Sequence, residues 1–354
     1  MPLPFSLWGT AMNKKVVLGL SGGVDSAVAA CVLLDQGWEV FGHWLDIGLG
    51  GREDAEAVAA RLNIPFSAGD IRQELADQVM GPFQREYLEG RTPLPCARCN
   101  PTVKFPALFR YANEIGADFV ATGHYAQIEN EKGEALLTRG AHRNDQAYML
   151  ARLPKEMIGR LVFPIGGLEK TQVRELAHQY GIPVADKPDS MEICFIPDGD
   201  YAAWLDAHGT PPPPGNFVDR TGKVLGQHKG IHHYTIGQRR GLSIPAGHRL
   251  FVSEIRPQDN TVVLSDGSDL MADRVWGEDL NLLANLAEGD AITVRLRHSK
   301  QEHPAIFHPT PDGALLELLE PARAPTPGQL AVFYRGDTVL GSMWITAARR
   351  ILPE

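Results

Sequence analysis

Apolar runs alternate with amphipathic stretches through the first half of this 354-residue chain. Val16–Leu20 is short and apolar, as a buried strand is, and Ala27–Leu34 is apolar almost all round, as a buried helix is. Trp38–Leu45 predicts a second strand and Glu53–Leu62 a helix. Ile71–Leu88 predicts one longer helix, with apolar positions at Leu75, Val79, Phe83 and Tyr87 or Leu88. Phe105–Ile115 and Asp118–Thr122 continue the alternation, and Thr171–Tyr180 adds a well-capped helix. Strand and helix in turn predict an α/β fold, a parallel sheet wrapped by helices, whose ligand edge lies at the carboxyl ends of the strands. Gly123-His124-Tyr125 falls on that edge.

The texture changes near Asp206. Pro211–Pro214 reads as a stiff connector, followed by short glycine-punctuated segments to about Leu270. Beyond it, Ala291–Leu296, Ala305–His308, Leu315–Leu319, Gln329–Tyr334 and Thr338–Ile345 are short alternating runs separated by turns, which predict a small antiparallel β-barrel or sandwich. Three domains are expected: a catalytic one at 13–205, a small central one at 206–272 and a C-terminal barrel at 273–354.

Composition agrees with several cores, since 44% of residues are apolar. No apolar run approaches the roughly 20 residues that span a bilayer, and Met1–Trp8 lacks the basic region and cleavage site of a signal peptide. Met12 is an alternative start, and a cytoplasmic protein without a membrane partner is expected. The formal net charge of −9 argues against indiscriminate nucleic-acid binding, yet Arg220–Arg256 carries seven Lys or Arg against Glu254 alone, with four histidines among them. A local basic face of this kind suits one polyanion held in one orientation.

The chemistry centres on Ser21-Gly22-Gly23-Val24-Asp25-Ser26, between a strand and a helix N-terminus. Paired glycines let a ligand approach the backbone, and free N–H groups, hydroxyls and the helix dipole converge on one point that suits phosphate. The Walker pattern is absent, and Asp25 requires a helix-capping role or a Mg²⁺ ion to sit beside an anion. The four cysteines are Cys31, Cys96, Cys99 and Cys194. Cys31 reads as a core thiol. Three prolines predict that Cys96 and Cys99 lie on a loop, where Arg98 and Lys104 would lower their pKa values, and Cys194 lies on a second loop, Asp189–Ile196. ATP activation beside thiols implies that an adenylated carbonyl oxygen is displaced by sulfur, turning C=O into C=S.

The glycine loop is similar to the Ser-Gly-Gly-x-Asp-Ser pyrophosphate loop of the ATP pyrophosphatases. Nearly the whole chain after Lys14 resembles the bacterial tRNA-specific 2-thiouridylases. The resemblance rests on Gly19–Ser26, Gly90–Pro93 leading into Cys99-Asn100, Ala121–Tyr125, Asn144–Gln146, Gly166–Val173, Ile193–Ile196, Thr235–Leu242, and Thr326–Gln329 before Ala331–Tyr334. It implies an adenine nucleotide α-hydrolase-like sheet that adenylates the C2 oxygen of a wobble uridine and releases AMP and pyrophosphate. Gly19, Leu20, Ser21, Gly22, Gly23, Val24, Asp25, Ser26, Leu45 and Gly123 would bind ATP with Mg²⁺. Cys99 would be the first catalytic thiol and Cys194 the persulfide carrier. His124, Asn144, Asp145, Gln146, Arg297, His298 and Gln329 would touch tRNA, joined by Arg239, Arg240 and Lys300 of the basic path.

Two features depart from that family. The segment between Leu45 and Glu53 is short, and Cys96 stands where members commonly place an aspartate. Cys96, Cys99 and Cys194 together could ligate a four-iron four-sulfur cluster with one open iron, or Zn²⁺ with a water, while a non-metal role keeps Cys96 as a spare or resolving thiol. The sulfur donor implied is a cysteine desulfurase, a relay protein or free sulfide. Two other readings share some of these features. An ATP pyrophosphatase that adenylates a small molecule for amidation would not need Cys99 and Cys194, and a non-enzymatic tRNA-binding scaffold would not need the nucleotide loop.

Overall fold

Five parallel strands form the first sheet, in the order Phe66–Asp70, Glu39–Asp46, Lys15–Gly19, Phe119–Thr122, Leu161–Val162. The central strand is covered on both faces, which is why Val16, Val17 and Leu18 follow one another without a polar break and are all fully buried. Gly19 pairs with both His43 and Thr122, so two strands end together at Gly19 and Thr122 while Glu39–Asp46 runs three residues past them. The helix Val24–Asp35 packs its whole length into the core, with Ala27 to Leu33 at most 2% exposed.

The computed structural model describes residues 14–141, 144–188, 193–298 and 301–351, which divide into two compact units. This sheet belongs to the first, residues 1–79, 96–195 and 337–339. The same unit holds an antiparallel hairpin of Ala126–Glu131 and Glu134–Arg139, which is not part of the parallel sheet and pairs with Thr338; the sequence pattern did not announce it.

Two helix expectations are corrected. Ile71–Leu88 is not one α-helix but Arg72–Leu75, a π-helical segment Ala76–Met80, and Gly81–Leu88. Pro82 lies just after the wide turn, where a missing N–H and a bulky ring are accommodated by a looser hydrogen-bond register. Nor do Cys96 and Cys99 lie on a loop. Pro95–Cys99 is a helical turn that runs through the π-segment Asn100–Lys104 into the helix Phe105–Ile115. Pro95 opens that turn, where its absent N–H costs nothing, and the π-segment takes in Pro101.

The second unit comprises 80–95, 196–336 and 340–354. Its four-stranded sheet runs Phe251–Arg256, Thr261–Ser265, Gly215–Val218, Val224–His228 over a core of Phe217, Ile231, Tyr234, Val252 and Val262. The C-terminal part is a closed antiparallel barrel in the order Met271–Leu282, Gly313–Arg323, His303–Thr310, Ala291–Arg295, Leu330–Arg335, Thr338–Arg349, closing through Val275 opposite Ala348. Closure pairs the two outer strands of the six with each other, so neither is left as a bare edge. No helix among the described residues is long and apolar enough to cross a membrane.

Candidate active site

The carboxyl ends of these strands and the glycine loop enclose a cavity of about 420 Å³ in the first unit. Gly22 sits at φ +74°, and a Cβ there would come within 2.8 Å of the Gly51 carbonyl oxygen, so only glycine closes this turn without strain. Gly123 approaches the loop from the neighbouring strand so tightly that a Cβ would lie 2.8 Å from the Ser26 nitrogen. Ser26 Oγ donates to the Gly23 carbonyl at 3.1 Å and accepts from the Ser21 N–H at 3.2 Å, locking the loop shape. Gly23 is the N-cap, without a side-chain cap, so the helix opens into the cavity rim with unsatisfied N–H groups.

Asp25 therefore does not cap the helix. Its Oδ1 accepts from Lys170 Nζ at 2.6 Å and from Tyr125 Oη at 2.7 Å. The carboxylate is neutralised in place, which removes the conflict between an acid and a phosphate seat. Lys170 is the first residue of the helix Lys170–Gln179, whose start is fixed by a capping box between Glu169 and Gln172. It was not singled out from the sequence; its position inside the matching segment Gly166–Val173 was the available signal. Lys187, also missed, donates to the Gly22 carbonyl at 3.2 Å and pairs with Asp54 at 2.6 Å, buttressing the loop from behind.

Most of the expected nucleotide residues line this one cavity: Gly19, Leu20, Ser21, Asp25, Ser26, Leu45 and Gly123. Gly22, Gly23 and Val24 shape the loop without lining it. Leu20, Leu45, Ile47, Ile71 and Leu108 give the cavity an apolar side suited to a base, while the loop gives a polar side suited to phosphate. Asp25 is the only carboxylate among the described lining residues.

Cys99 and Cys194 line the same cavity, and Cys96 does not. The expectation of an acidified Cys99 thiol is overturned. Burial pushes the Cys99 thiol above its ordinary value, outweighing the pull of the Lys104 ammonium. Desolvation by the surrounding protein, and then the neighbouring Cys99, push Cys194 up to about 11. Cys194 is nonetheless an exposed residue, and its exposure decides access. The part of its loop at 189–192 lies outside the described residues. The three sulfurs sense one another electrostatically but do not form a group within 4.8 Å of one another, so they do not frame a site for a single ion.

His124 also lines the cavity, with Nδ1 2.7 Å from Thr122 Oγ1. Burial and then Lys104 hold its pKa well below the usual range, so it is a neutral imidazole. His43, unflagged in the sequence, lines the same cavity, its Nδ1 2.7 Å from Ser67 Oγ and its ring stacked on Tyr111 at 4.4 Å; burial lowers its pKa to about 4. Gln146 reaches the cavity while its Oε1 accepts from the Tyr125 N–H at 3.0 Å. Asp145 Oδ1 accepts from the Gly140 and Ala147 N–H groups, and the Asn144 N–H donates to Ala141. These three residues fold the loop before the helix Ala147–Leu150.

In the second unit, Arg239 and Arg240 are exposed, beside a hollow of about 600 Å³ lined by Arg239, His248 and Arg249. Arg297 directs Nη2 at the carbonyls of Ile236 and Ala324 and at Thr326 Oγ1, and Gln329 Nε2 donates to the Thr92 carbonyl at 2.8 Å. His298 is exposed, with its carbonyl accepting from Arg295. Lys300, Met1, Met12 and Asn13 lie outside the described residues.

Family models match three consecutive segments: a tRNA methyl transferase HUP domain at 14–198, a tRNA methyl transferase PRC-barrel domain at 203–266 and an aminomethyltransferase β-barrel domain at 273–345. Among curated proteins, the tRNA-specific 2-thiouridylase of Carboxydothermus hydrogenoformans is 42% identical over 93% of this chain and 96% of its own. The one from Clostridioides difficile is 42% identical over 93% and 97%, and that of Acidithiobacillus ferrooxidans 41% over 94% and 98%. Among solved structures, a 4-thiouridine synthetase–RNA complex with bound ATP aligns with a TM-score of 0.37 at 19% identity, covering 55% of this chain and 50% of that one. NMN synthetase from Francisella tularensis aligns with a TM-score of 0.32 at 24% identity, covering 49% and 66%. On the strength of the near-full-length relatives, this chain belongs to the tRNA-specific 2-thiouridylase family.

Proposed function

We propose that this chain is a tRNA uridine 2-sulfurtransferase. It adenylates the C2 oxygen of a wobble uridine with ATP and releases pyrophosphate; the outer sulfur of a Cys194 persulfide then displaces AMP, and the Cys99 thiol breaks the remaining S–S bond, which frees the thiolated uridine and leaves a Cys99–Cys194 disulfide for an external thiol to reduce. The observation that carries the reading is that the glycine loop and two thiols, Cys99 and Cys194, line one cavity. An enzyme that used ammonia would have no need of those thiols there, and a scaffold would have no need of the loop.

The residues divide the work. The N–H groups of the loop and helix start receive the pyrophosphate as charge develops on it. Lys170 holds Asp25 in place and adds positive charge at the same point; Asp25 is the carboxylate available to the Mg²⁺ that accompanies ATP. Neutral His124 offers a hydrogen bond to the base without adding charge. The Cys99 and Cys194 thiols rest protonated at neutral pH, so sulfur attack needs a proton acceptor at that moment. The persulfide sulfur arrives from a cysteine desulfurase or a relay protein; free sulfide, already fully reduced, would serve only a cluster route.

Three thiols are a donor set that would suit a four-iron four-sulfur cluster, and Cys96, Cys99 and Cys194 would hold it; an open iron would supply a seat for incoming sulfide. The direct route uses only the two cysteines of the cavity. We assign the tRNA surface to the central segment 206–272 and the C-terminal barrel 273–354, with Arg239 and Arg240 as its exposed cations. Arg297 and Gln329, spent on backbone carbonyls, shape that surface.

The test is a stoichiometry. Protein, substrate tRNA, ATP and a persulfide source are incubated, and AMP, pyrophosphate and thiolated uridine should form in equal amounts. ADP and phosphate as main products would overturn the assignment. Iron and labile sulfide measured on anaerobic protein, with activity of Cys96→Ala, decide between cluster and direct route.

A further inference from the structure

A group of metal-ligating side chains that the reaction above does not use lies in the second unit and contains no cysteine. Asp206, His232 and His233 bring their donor atoms within 4.8 Å of one another. Asp206 sits on the helix Tyr201–His208, whose start is pinned by Asp200 Oδ1 accepting from the Ala203 N–H at 3.0 Å. The histidines form the single turn Ile231–His233. His232 Nε2 is 2.8 Å from Asp206 Oδ1, and His233 Nε2 is 3.5 Å from Oδ2, so two imidazoles converge on the two oxygens of one carboxylate. His232 is 1% exposed and its Nδ1 has no partner among the described residues, which leaves Nε2 as the ring's one polar outlet. The Asp206 side chain is 45% exposed, so the group opens to solvent on one side.

We propose that Asp206, His232 and His233 bind a divalent transition-metal ion of the Zn²⁺ class, with water as the fourth ligand. Two imidazole nitrogens and one carboxylate oxygen are a donor set that zinc accepts in a tetrahedral site with one open position. Bonds of about 2.0–2.2 Å in a tetrahedron separate the donors by about 3.4 Å. The present spacings, 2.8 Å to Oδ1 and 3.5 Å to Oδ2 with one donor atom of each residue within 4.8 Å of the others, require the side chains to shift by an ångström or so to meet that. Magnesium and calcium are disfavoured, because two of the three donors are nitrogen.

The ion would tie the helix Tyr201–His208 to the segment that continues through Thr235 to Arg239 and Arg240. This consequence rests on the tRNA reading above; the metal site itself does not. It adds a cross-link 26 residues long, between Asp206 and His232, to a segment otherwise held by short strands and turns.

The experiment uses the full chain with Cys96, Cys99 and Cys194 replaced by serine, so that thiolates do not compete. Metal-free protein is titrated with Co²⁺ and then Zn²⁺. One Co²⁺ per chain should bind, with the visible absorption of a tetrahedral nitrogen–oxygen site. Asp206→Asn and His233→Ala should each weaken binding at least about tenfold, since even loss of a group behind a ligand costs that much. Circular dichroism verifies that each variant is folded. Should one fail to fold, zinc X-ray absorption on the parent decides alone: two imidazoles in the first shell support the site. Fewer than two, no bound Co²⁺, or unchanged affinity in folded Asp206→Asn would overturn it and show a carboxylate merely shared by two histidine N–H groups. AMP and pyrophosphate release, measured on the chain with its cysteines intact, reports separately on the sulfurtransferase reading.

Discussion

In the proposed reaction, Lys170 and the two cavity thiols concentrate the chemistry at single atoms. Without its ammonium, Asp25 would face the pyrophosphate seat as a bare anion, so Lys170→Met is expected to lower AMP formation by roughly a hundredfold, the scale of losing one preorganised electrostatic contact. Pyrophosphate release by the variant at the parental rate would remove Lys170 from the mechanism. For the thiols, the direction of the pKa shifts sets the pH dependence. Protonated thiols do not alkylate, so iodoacetamide should label Cys194 slowly at neutral pH and faster with each step up to about pH 11. Lys104→Met removes the one cation that pulls the Cys99 thiol down, and should delay the labelling of Cys99 to still higher pH. Mass spectrometry of the labelled peptides reads both; a plateau near pH 8 would contradict the burial argument.

At the scale of elements, the helix Lys170–Gln179 shows how a local device positions a functional group. Its capping box joins the Glu169 carboxylate and the Gln172 amide to the first-turn backbone, and Lys170 is the residue between them. Glu169→Ala should cost about 0.5–2 kcal/mol of stability and also raise the KM for ATP, because the frayed first turn carries Lys170 with it. Denaturant melts and ATP kinetics together check this; a stability loss with unchanged KM would confine the cap to a structural part. Much of this level was legible in the sequence. The buried strand Val16–Leu18, the helix Phe105–Ile115 and the glycine loop each carry a local signature, either unbroken apolar residues, 3.6-residue periodicity or paired glycines. The strand Met271–Leu282 was not legible, because its charged residues and its bulges at Ala272/Arg274 and Trp276/Gly277 interrupt the alternation. The helical setting of Cys96 and Cys99 was hidden for another reason: prolines exclude a regular helix, but a π-turn tolerates them, and that depends on packing. Likewise, Lys170 reaches Asp25 across 145 residues of sequence, a contact no local pattern reports.

For the whole molecule, two dependences on solution conditions follow. His43 titrates near 4 in the folded chain and near 6.5 when unfolded. Between those values the unfolded chain takes up a proton that the folded one does not. Stability therefore falls as pH drops from 6.5 towards 4 and levels off below, by up to about 3 kcal/mol at about 1.4 kcal/mol per unit. His43→Asn should flatten that part of the acid limb in urea titrations; an unchanged limb would assign it to carboxylates instead.

The last expectation concerns tRNA, and it separates cations that meet phosphate from cations that build the surface. Arg239 and Arg240 are exposed on a segment whose neighbours are also basic, in a chain of net charge −9, so the attraction is local and oriented. Each phosphate contact releases condensed counterions, and losing one reduces the log–log salt slope of binding by about one unit. Arg239→Gln and Arg240→Gln should each flatten the slope by that amount without altering the melting temperature. Arg297 behaves differently, because Nη2 ties together the Ile236 and Ala324 carbonyls and Thr326 Oγ1, of which the Ala324 carbonyl keeps the Thr326 hydroxyl as a second donor while the other two lose this one. Arg297→Gln should lower the melting temperature by several degrees and weaken tRNA binding by a factor that is nearly the same at every salt concentration. Filter binding at four or five salt concentrations, paired with melting curves, distinguishes the two behaviours. If Arg297→Gln flattened the slope at full stability while Arg239→Gln left it unchanged, the tRNA path would run past the barrel rather than along the basic segment.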